Sequence, residues 1–317
     1  MPTTRTLPAP VDGPITLDLD LKHGAVTVTV ADIPRAEIIL TTTDPDDSVT
    51  AKEINNATIT ANGNDVRAVV PVRSASGGVH TRIETHQGGR TVVTQFSGNI
   101  VNSGVMIGTG TAVFTGKSNG KYSIGQIGGD FGIHLTAGIE AEVRLPAGSS
   151  LRMATESTNV TITGELARIS YRSISGTLRA GACSDLNASS TSGDVCADVA
   201  DHVNITTVSG DIRLGRTEQV EASSTSGDIS IGDFGGMATL KTVSGDISAH
   251  ATDGGNLTAT SVSGDIRVTA ASGVADAEGE DRLIVAARSI SGDVSTPRPT
   301  AAISHRPRRP RRASFEA

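Results

Sequence analysis

The sequence predicts an all-β fold, a right-handed parallel β-solenoid of about 17–19 residues per rung with an N-terminal β-rich cap region. Three observations carry this. The segments STSGDV, TVSGDI, STSGDI, TVSGDI and SVSGDI recur in register. Apolar residues recur two apart on either side of each turn, which is strand periodicity. Aromatic residues make up only 2 % of the 317-residue chain, with 36 glycines and no tryptophan. A rounded core draws heavily on large aromatics, so this one must be built from Val, Ile, Leu, Ala and Thr, most of which suit a pleated strand.

The repeat is anchored on Gly176, Gly193, Gly210, Gly227, Gly245, Gly264 and Gly292, separated by 17, 17, 17, 18, 19 and 28 residues. Seven positions before these glycines lie Ile169, Leu186, Val203, Val220, Ala238, Leu257 and Val285; two after lie Leu178, Val195, Ile212, Ile229, Ile247, Ile266 and Val294. The residue two before the glycine is also apolar or Thr, which breaks the alternation and makes the turn a corner. A Ser precedes every glycine, and a Ser or Thr stands three before it. Glycine is expected to supply a positive φ there, and the hydroxyls to bond corner backbone groups. One rung cannot bury its own apolar face, so the rungs must stack. A worn copy (Leu151, Met153, Thr155, Ser157, Val160, Ile162) puts the start near residue 150, giving about eight rungs and a rod of roughly 35–40 Å. A weaker echo runs Leu17, Leu19, Gly24, Val26, Val28.

The remaining segments follow from composition. Residues 1–11 are read as a flexible N-terminus. Residues 12–73 hold strands near 15–21, 25–30, 37–42, 57–61 and 66–72, with a hairpin turn at Asn62–Asp65, and are expected to cap or extend the first rungs. Residues 74–137 form a glycine-rich insertion, read as kinked strands, a loop or a self-assembly segment. Residues 138–296 are the solenoid, with a surface loop in 270–282. Residues 297–317 are a disordered basic Pro/Arg tail.

At this point the chain resembles a bacterial "putative adhesin" β-strand-repeat family of unknown function. The resemblance rests on the SGD(I/V) turns at Gly193, Gly210, Gly227, Gly245, Gly264 and Gly292, and on LDLKHGAVTVTV and IEAEVRLPAGSSLRMAT. It covers roughly 12–72 and 138–296. It implies a stacked-strand fold and an adhesive or interacting role, and it brings no catalytic residues.

Candidate chemistry is sparse. Asp194, Asp211, Asp228, Asp246, Asp265 and Asp293 follow the repeat glycines. Stacking would set these carboxylates about 4.8 Å apart, and Asp194 through Asp265 are weak candidates for calcium between turns. The competing reading is that each Asp accepts hydrogen bonds from its own turn. The serine column is not a row of nucleophiles, because no histidine accompanies it to act as base. Turn aspartates that obey a repeat are not the paired acids of a glycosidase. No enzyme and no cofactor is expected. Cys183 and Cys196 make neither a metal motif nor a disulfide framework.

Net charge is −7. Six arginines and one glutamate from Arg298 onward put the tail at +5, leaving −12 on the rest. Arg306, Arg308, Arg309, Arg311 and Arg312 could meet an anionic membrane or nucleic acid, and Ser314 fits a basophilic phosphorylation site. With no signal peptide pattern and no apolar stretch of about 18 residues, the reading is cytoplasmic with no transmembrane segment. The functional expectation is a structural or interaction scaffold acting on a protein partner or on itself. Its alternatives are a self-polymerising scaffold like the bactofilins, or a calcium- or carbohydrate-binding solenoid.

Overall fold

A computed structural model describes residues 3–43, 48–71, 138–274 and 282–297, together with the backbone of strands at 81–87, 90–96, 112–118 and 121–127. The elements in chain order are strands β1 (Thr3–Asp12), β2 (Thr16–Asp20), β3 (His23–Ala31) and β4 (Arg35–Thr42), helix α1 (Val49–Asn55), and strands β5 (Thr58–Asn62) and β6 (Asp65–Val69). Next come β7 (Thr81–Gln87), β8 (Arg90–Phe96), β9 (Ala112–Ser118), β10 (Lys121–Ile127), β11 (Glu140–Pro146) and β12 (Ser150–Ala154). The long strands follow: β13 (Ser157–Ser173), β14 (Leu178–Ser190), β15 (Val195–Thr207), β16 (Ile212–Ser223), β17 (Ile229–Lys241) and β18 (Ile247–Ser261). Strands β19 (Ile266–Ala270), β20 (Leu283–Ser289) and β21 (Val294–Ser295) end the series.

The stacked-strand expectation is met. Each long strand pairs in parallel with the next, residue on equivalent residue: Leu178↔Val195↔Ile212↔Ile229↔Ile247↔Ile266 on one face, and Ile169↔Leu186↔Val203↔Val220↔Ala238↔Leu257 on the other. Both columns are buried. A strand of 13 residues serves two faces because it bends midway; the register shifts at the bend in the β13–β14, β16–β17 and β17–β18 pairs and runs through it unchanged in β14–β15 and β15–β16.

The stack begins earlier than the sequence reading placed it. The weak echo is a full rung: Leu17 and Leu19 of β2 pair with Leu151 and Met153, while Val26 and Val28 of β3 pair with Val160 and Ile162. One further layer lies beyond it, β6 on β2 and β11 on β3, both parallel. From β6/β11 to β20/β21 there are ten layers, which at rung spacing makes a rod of about 43 Å. Strands β6 and β11 therefore stand in the relation of β2 to β3, and the 74–137 insertion, with β7–β10, lies between them where the other layers have a corner. Its described parts are two antiparallel hairpins, β7–β8 and β9–β10. Among the described residues neither joins the main sheet.

The first layer is covered by β4, antiparallel to β11, by β5, antiparallel to β6, and by α1. Ser48 caps α1 by accepting from the Ala51 N–H at 3.0 Å, and Ala51 and Ile54 are buried. A seven-residue helix is too short to leave a periodic signal. The expected flexible N-terminus is corrected as well. Thr3–Asp12 is strand β1, antiparallel to β4, with Leu7 and Ala9 buried. Pro8 and Pro10 face outward, which an edge strand tolerates even though proline cannot donate to a ladder.

Candidate functional site

The corner is where the repeat is strictest, and there the structure replaces one physical account with another. None of the seven repeat glycines is among the positive-φ glycines of the described chain. Crowding is the cause instead. A Cβ on Gly193, Gly210, Gly227, Gly245, Gly264 or Gly292 would overlap the carbonyl oxygen of the glycine one layer before it; on Gly176 it would overlap the Thr158 carbonyl. Glycine lets successive corners close to backbone contact.

Three sets of hydrogen bonds hold that contact, one within each turn and two between layers. The glycine N–H donates to the hydroxyl three residues earlier, as from Gly193 to Ser190 Oγ at 2.8 Å and from Gly227 to Ser224 Oγ at 2.8 Å. The serine N–H donates to the layer before, Ser209 to the Thr191 carbonyl and Ser244 to the Thr225 carbonyl, both at 2.9 Å. The aspartate N–H donates to the preceding aspartate's Oδ1: Asp211 to Asp194 at 3.0 Å, Asp228 to Asp211 at 2.9 Å, then Asp246 to Asp228, Asp265 to Asp246 and Asp293 to Asp265 at 2.8 Å. Asn159 starts the same column by accepting from Thr177 at 3.1 Å. The aspartates thus bond between layers, and not within their own turn. Five of the six carboxylates give one oxygen to this ladder, and Asp211 Oδ2 accepts from Arg213 at 2.7 Å. Asp211 is the chief reason the Arg213 guanidinium sits above its ordinary pKa.

Outside the ladders, the residues two before the glycines form an exposed ridge: Ile174, Thr191, Val208, Thr225, Val243, Val262 and Ile290, the last 68 % exposed. Sequence reading found this column but not that it faces solvent. It missed a third buried column at the bend opposite the corner: Leu166, Cys183, Ala200, Thr217, Phe234 and Ala251. Burial, with Asp201 and Asp185 nearby, pushes the Cys183 thiol up to about 12, so it is a poor nucleophile. Thr217 Oγ1 is buried without a hydrogen-bond partner.

Among the described residues no three His, Cys, Asp or Glu side chains are grouped to hold a metal ion, and no helix is long and apolar enough to cross a membrane. Arg306, Arg308, Arg309, Arg311, Arg312 and Ser314 lie outside the described residues.

A family model, Toastrack DUF4097, matches residues 110–309. The chain belongs to the Toastrack family. The match runs from inside the insertion into the tail, so it extends past Thr296, where the sequence reading ended the repeats. Among solved structures the chain is similar to a putative adhesin from Bacteroides fragilis NCTC 9343, 13 % identical over 93 % of this chain and 97 % of that one, with a TM-score of 0.45. It is also similar to a putative adhesin from Parabacteroides distasonis ATCC 8503, 13 % identical over 94 % and 97 %, TM-score 0.44. No curated protein matches. The Toastrack corner of this chain is thus built as a stacking device, with its polar groups turned to its own neighbouring layers.

Proposed function

We propose that this Toastrack protein is a non-catalytic scaffold that presents the rod's corner ridge to a protein partner. The supporting observation is the fate of the corner chemistry. The hydroxyls three before the glycines close their own turns and reach the neighbouring layer, and one oxygen of each of five aspartates accepts from the next layer, so these groups are engaged in building and stacking the corners. What the corner leaves exposed is a line of β-branched side chains beside a line of carboxylates. Apolar residues exposed in a contiguous row mark interaction surfaces. The arginines at 306–312 add a second contact, to an anionic partner.

The test places a photo-crosslinking residue at Val243, on the ridge, or at Thr258, outward on a neighbouring face, in cells that make the full chain. One discrete protein adduct at Val243 and none at Thr258 is expected. Equal labelling at both positions, or none at Val243, would sink the ridge as the interaction surface.

A further inference from the structure

The corner ridge runs between two columns of opposite sign. On one side, four residues before each repeat glycine, stand Arg172, Lys241 and Arg288, with Ser or Thr in the other four layers and no acid. On the other side, one residue after the glycine, six layers carry an aspartate and the first carries Thr177, with no base. Strand pairing keeps the basic column in line, Ser223 on Lys241, Lys241 on Thr260 and Thr260 on Arg288. The hydrogen-bond ladder does the same for the acidic one. The three cations are exposed, and so are Asp228, Asp246, Asp265 and Asp293. Between the two columns Val208, Val243, Val262 and Ile290 project into solvent.

Such a strip can meet its own copy in two ways. With the rods antiparallel, a two-fold axis across the ridge sets each flank against its equivalent, carboxylates against carboxylates. With the rods parallel, a two-fold axis along the ridge sets the basic flank against the acidic one, layer for layer. Arg288 then faces the partner's Asp293 and Lys241 faces the partner's Asp246, each twice by symmetry. The other four aspartates face Ser or Thr, and Arg172 faces the partner's Thr177. One column further out on each side, Arg179, Arg213, Arg267 and Glu221 all face neutral residues. Complementary charge fixes the orientation in which two surfaces meet, and here only the parallel one is complementary. Before the first repeat layer the ridge column turns charged, with Glu156 and then Lys22 preceding Ile174. Each would face its own copy across the axis, so the rods part there.

We propose that the partner of the ridge is a second copy of this chain, docked parallel about a two-fold axis along the ridge, with Val243, Val262 and Ile290 at its centre and the Lys241–Asp246 and Arg288–Asp293 pairs at its rims. It rests on the ridge being the contact surface. The strip is narrow and about 29 Å long over its seven layers, which suits a weak contact that depends on concentration.

The experiment is sedimentation equilibrium of the full chain and two charge reversals, Arg288→Glu and Asp293→Lys. Among the described residues neither side chain holds one layer to the next, so the fold keeps its ladders. The parent is expected to dimerise reversibly in the micromolar range, more weakly as salt is raised. Each variant alone sets like charges together twice and should dimerise about tenfold more weakly. An equimolar mixture of the two variants restores opposite charges at both contacts of the mixed dimer, and its affinity should return to within about threefold of the parent's. A parent that stays monomeric at about 1 mM, or a mixture no tighter than either variant alone, would overturn the proposal. The crosslinker at Val243 separates this outcome from the ridge reading. An adduct of twice the chain mass supports the second copy, whereas an adduct with a different protein overturns it and leaves the ridge an interaction surface.

Discussion

The corner at the repeat glycines and the bend on the opposite side do the same job of turning the chain, by different means. Between the inward residue before the corner and the one after it the count is always nine: Val203 to Ile212, Val220 to Ile229, Ala238 to Ile247, Leu257 to Ile266, Val285 to Val294. Across the opposite bend the count drifts from eight to nine, ten and nineteen (Ile212 to Val220, Ile229 to Ala238, Ile247 to Leu257, Ile266 to Val285). Every extra residue of the long repeats falls on the bend. The corner cannot lengthen, because two ladders between layers, a hydrogen bond within each turn and a backbone contact must all be kept at once. The bend also has close backbone approaches, at Gly215 on the Asp198 carbonyl and at Gly255 on the Gly236 carbonyl, and a bond from Thr252 Oγ1 to the Phe234 carbonyl at 3.4 Å. Apart from the strand pairing, however, no ladder among the described residues repeats there in every layer, and added residues are absorbed as bulges. Insertions are tolerated where no side-chain ladder repeats from layer to layer.

Among substitutions, those at Gly227 of the corner and Gly232 of the bend should differ most. At Gly227 a new Cβ would meet the Gly210 carbonyl and lie 2.9 Å from Ser224 Oγ. Neither the carbonyl nor the layer carrying it can retreat without breaking the ladders, so Gly227→Ala is expected to cost about 3 kcal/mol or more. At Gly232, on the bend, the nearest atom to a new Cβ is at 3.4 Å. There Gly232→Ala should be neutral, or stabilising by about 0.5 kcal/mol through the unfolded chain. Urea unfolding measures both. Equal losses at the two glycines would remove the distinction between corner and bend.

Hydroxyls give a smaller contrast of opposite sign. Ser224 Oγ accepts from the Gly227 N–H at 2.8 Å and from Thr207 Oγ1 at 3.0 Å, in a buried site. Ser224→Ala orphans a buried donor and should cost about 1–3 kcal/mol. Thr217 is buried on the bend with its Oγ1 unpartnered. Replacing it by Val keeps the shape and removes an unsatisfied polar atom, and should stabilise by about 1 kcal/mol. If Thr217→Val destabilises, the bend holds a polar contact as binding as the corner's.

This contrast also explains what could be read from the sequence. The hydroxyl of Ser190, Gly193 and Asp194, with their copies, are legible because each of these residue types answers one constraint, repeated from layer to layer. Leu166, Cys183, Ala200, Thr217, Phe234 and Ala251 are equally buried and recur every 17 residues, but they range from Ala to Phe and include a Thr, so no shared residue type marks the column. Its constant step also parts from the turn glycines once the repeats lengthen to 18 and 19. The echo at Leu17–Val28 was visible, but 118 residues separate Asp32 from Ser150 in the chain, and strand pairing across such a gap leaves no local mark. The glycine column is legible but its cause is not: positive φ and backbone crowding both demand the absence of a Cβ, and only the stacked layers tell them apart.

The aspartate ladder yields the smallest effect and tests whether its role is charge or geometry. Asp228 Oδ1 accepts the Asp246 N–H at 2.8 Å in an exposed position. Asn offers the same acceptor without the charge, so Asp228→Asn should change stability by no more than about 0.5 kcal/mol, while Asp228→Ala should lose about 1 kcal/mol. Removing one charge from a column of carboxylates even relieves some repulsion, which in water is only about 1 kcal/mol per pair at this spacing. A cation lodged between turns would reverse the order of importance, since Asn would then lose the charge that the cation needs. Thermal unfolding of both variants and the parent, with and without millimolar calcium, distinguishes the two roles. A ladder of acceptors leaves the parent's midpoint unmoved by calcium and Asn equivalent to Asp. A calcium-dependent rise that Asp228→Asn abolishes would make the column a metal site.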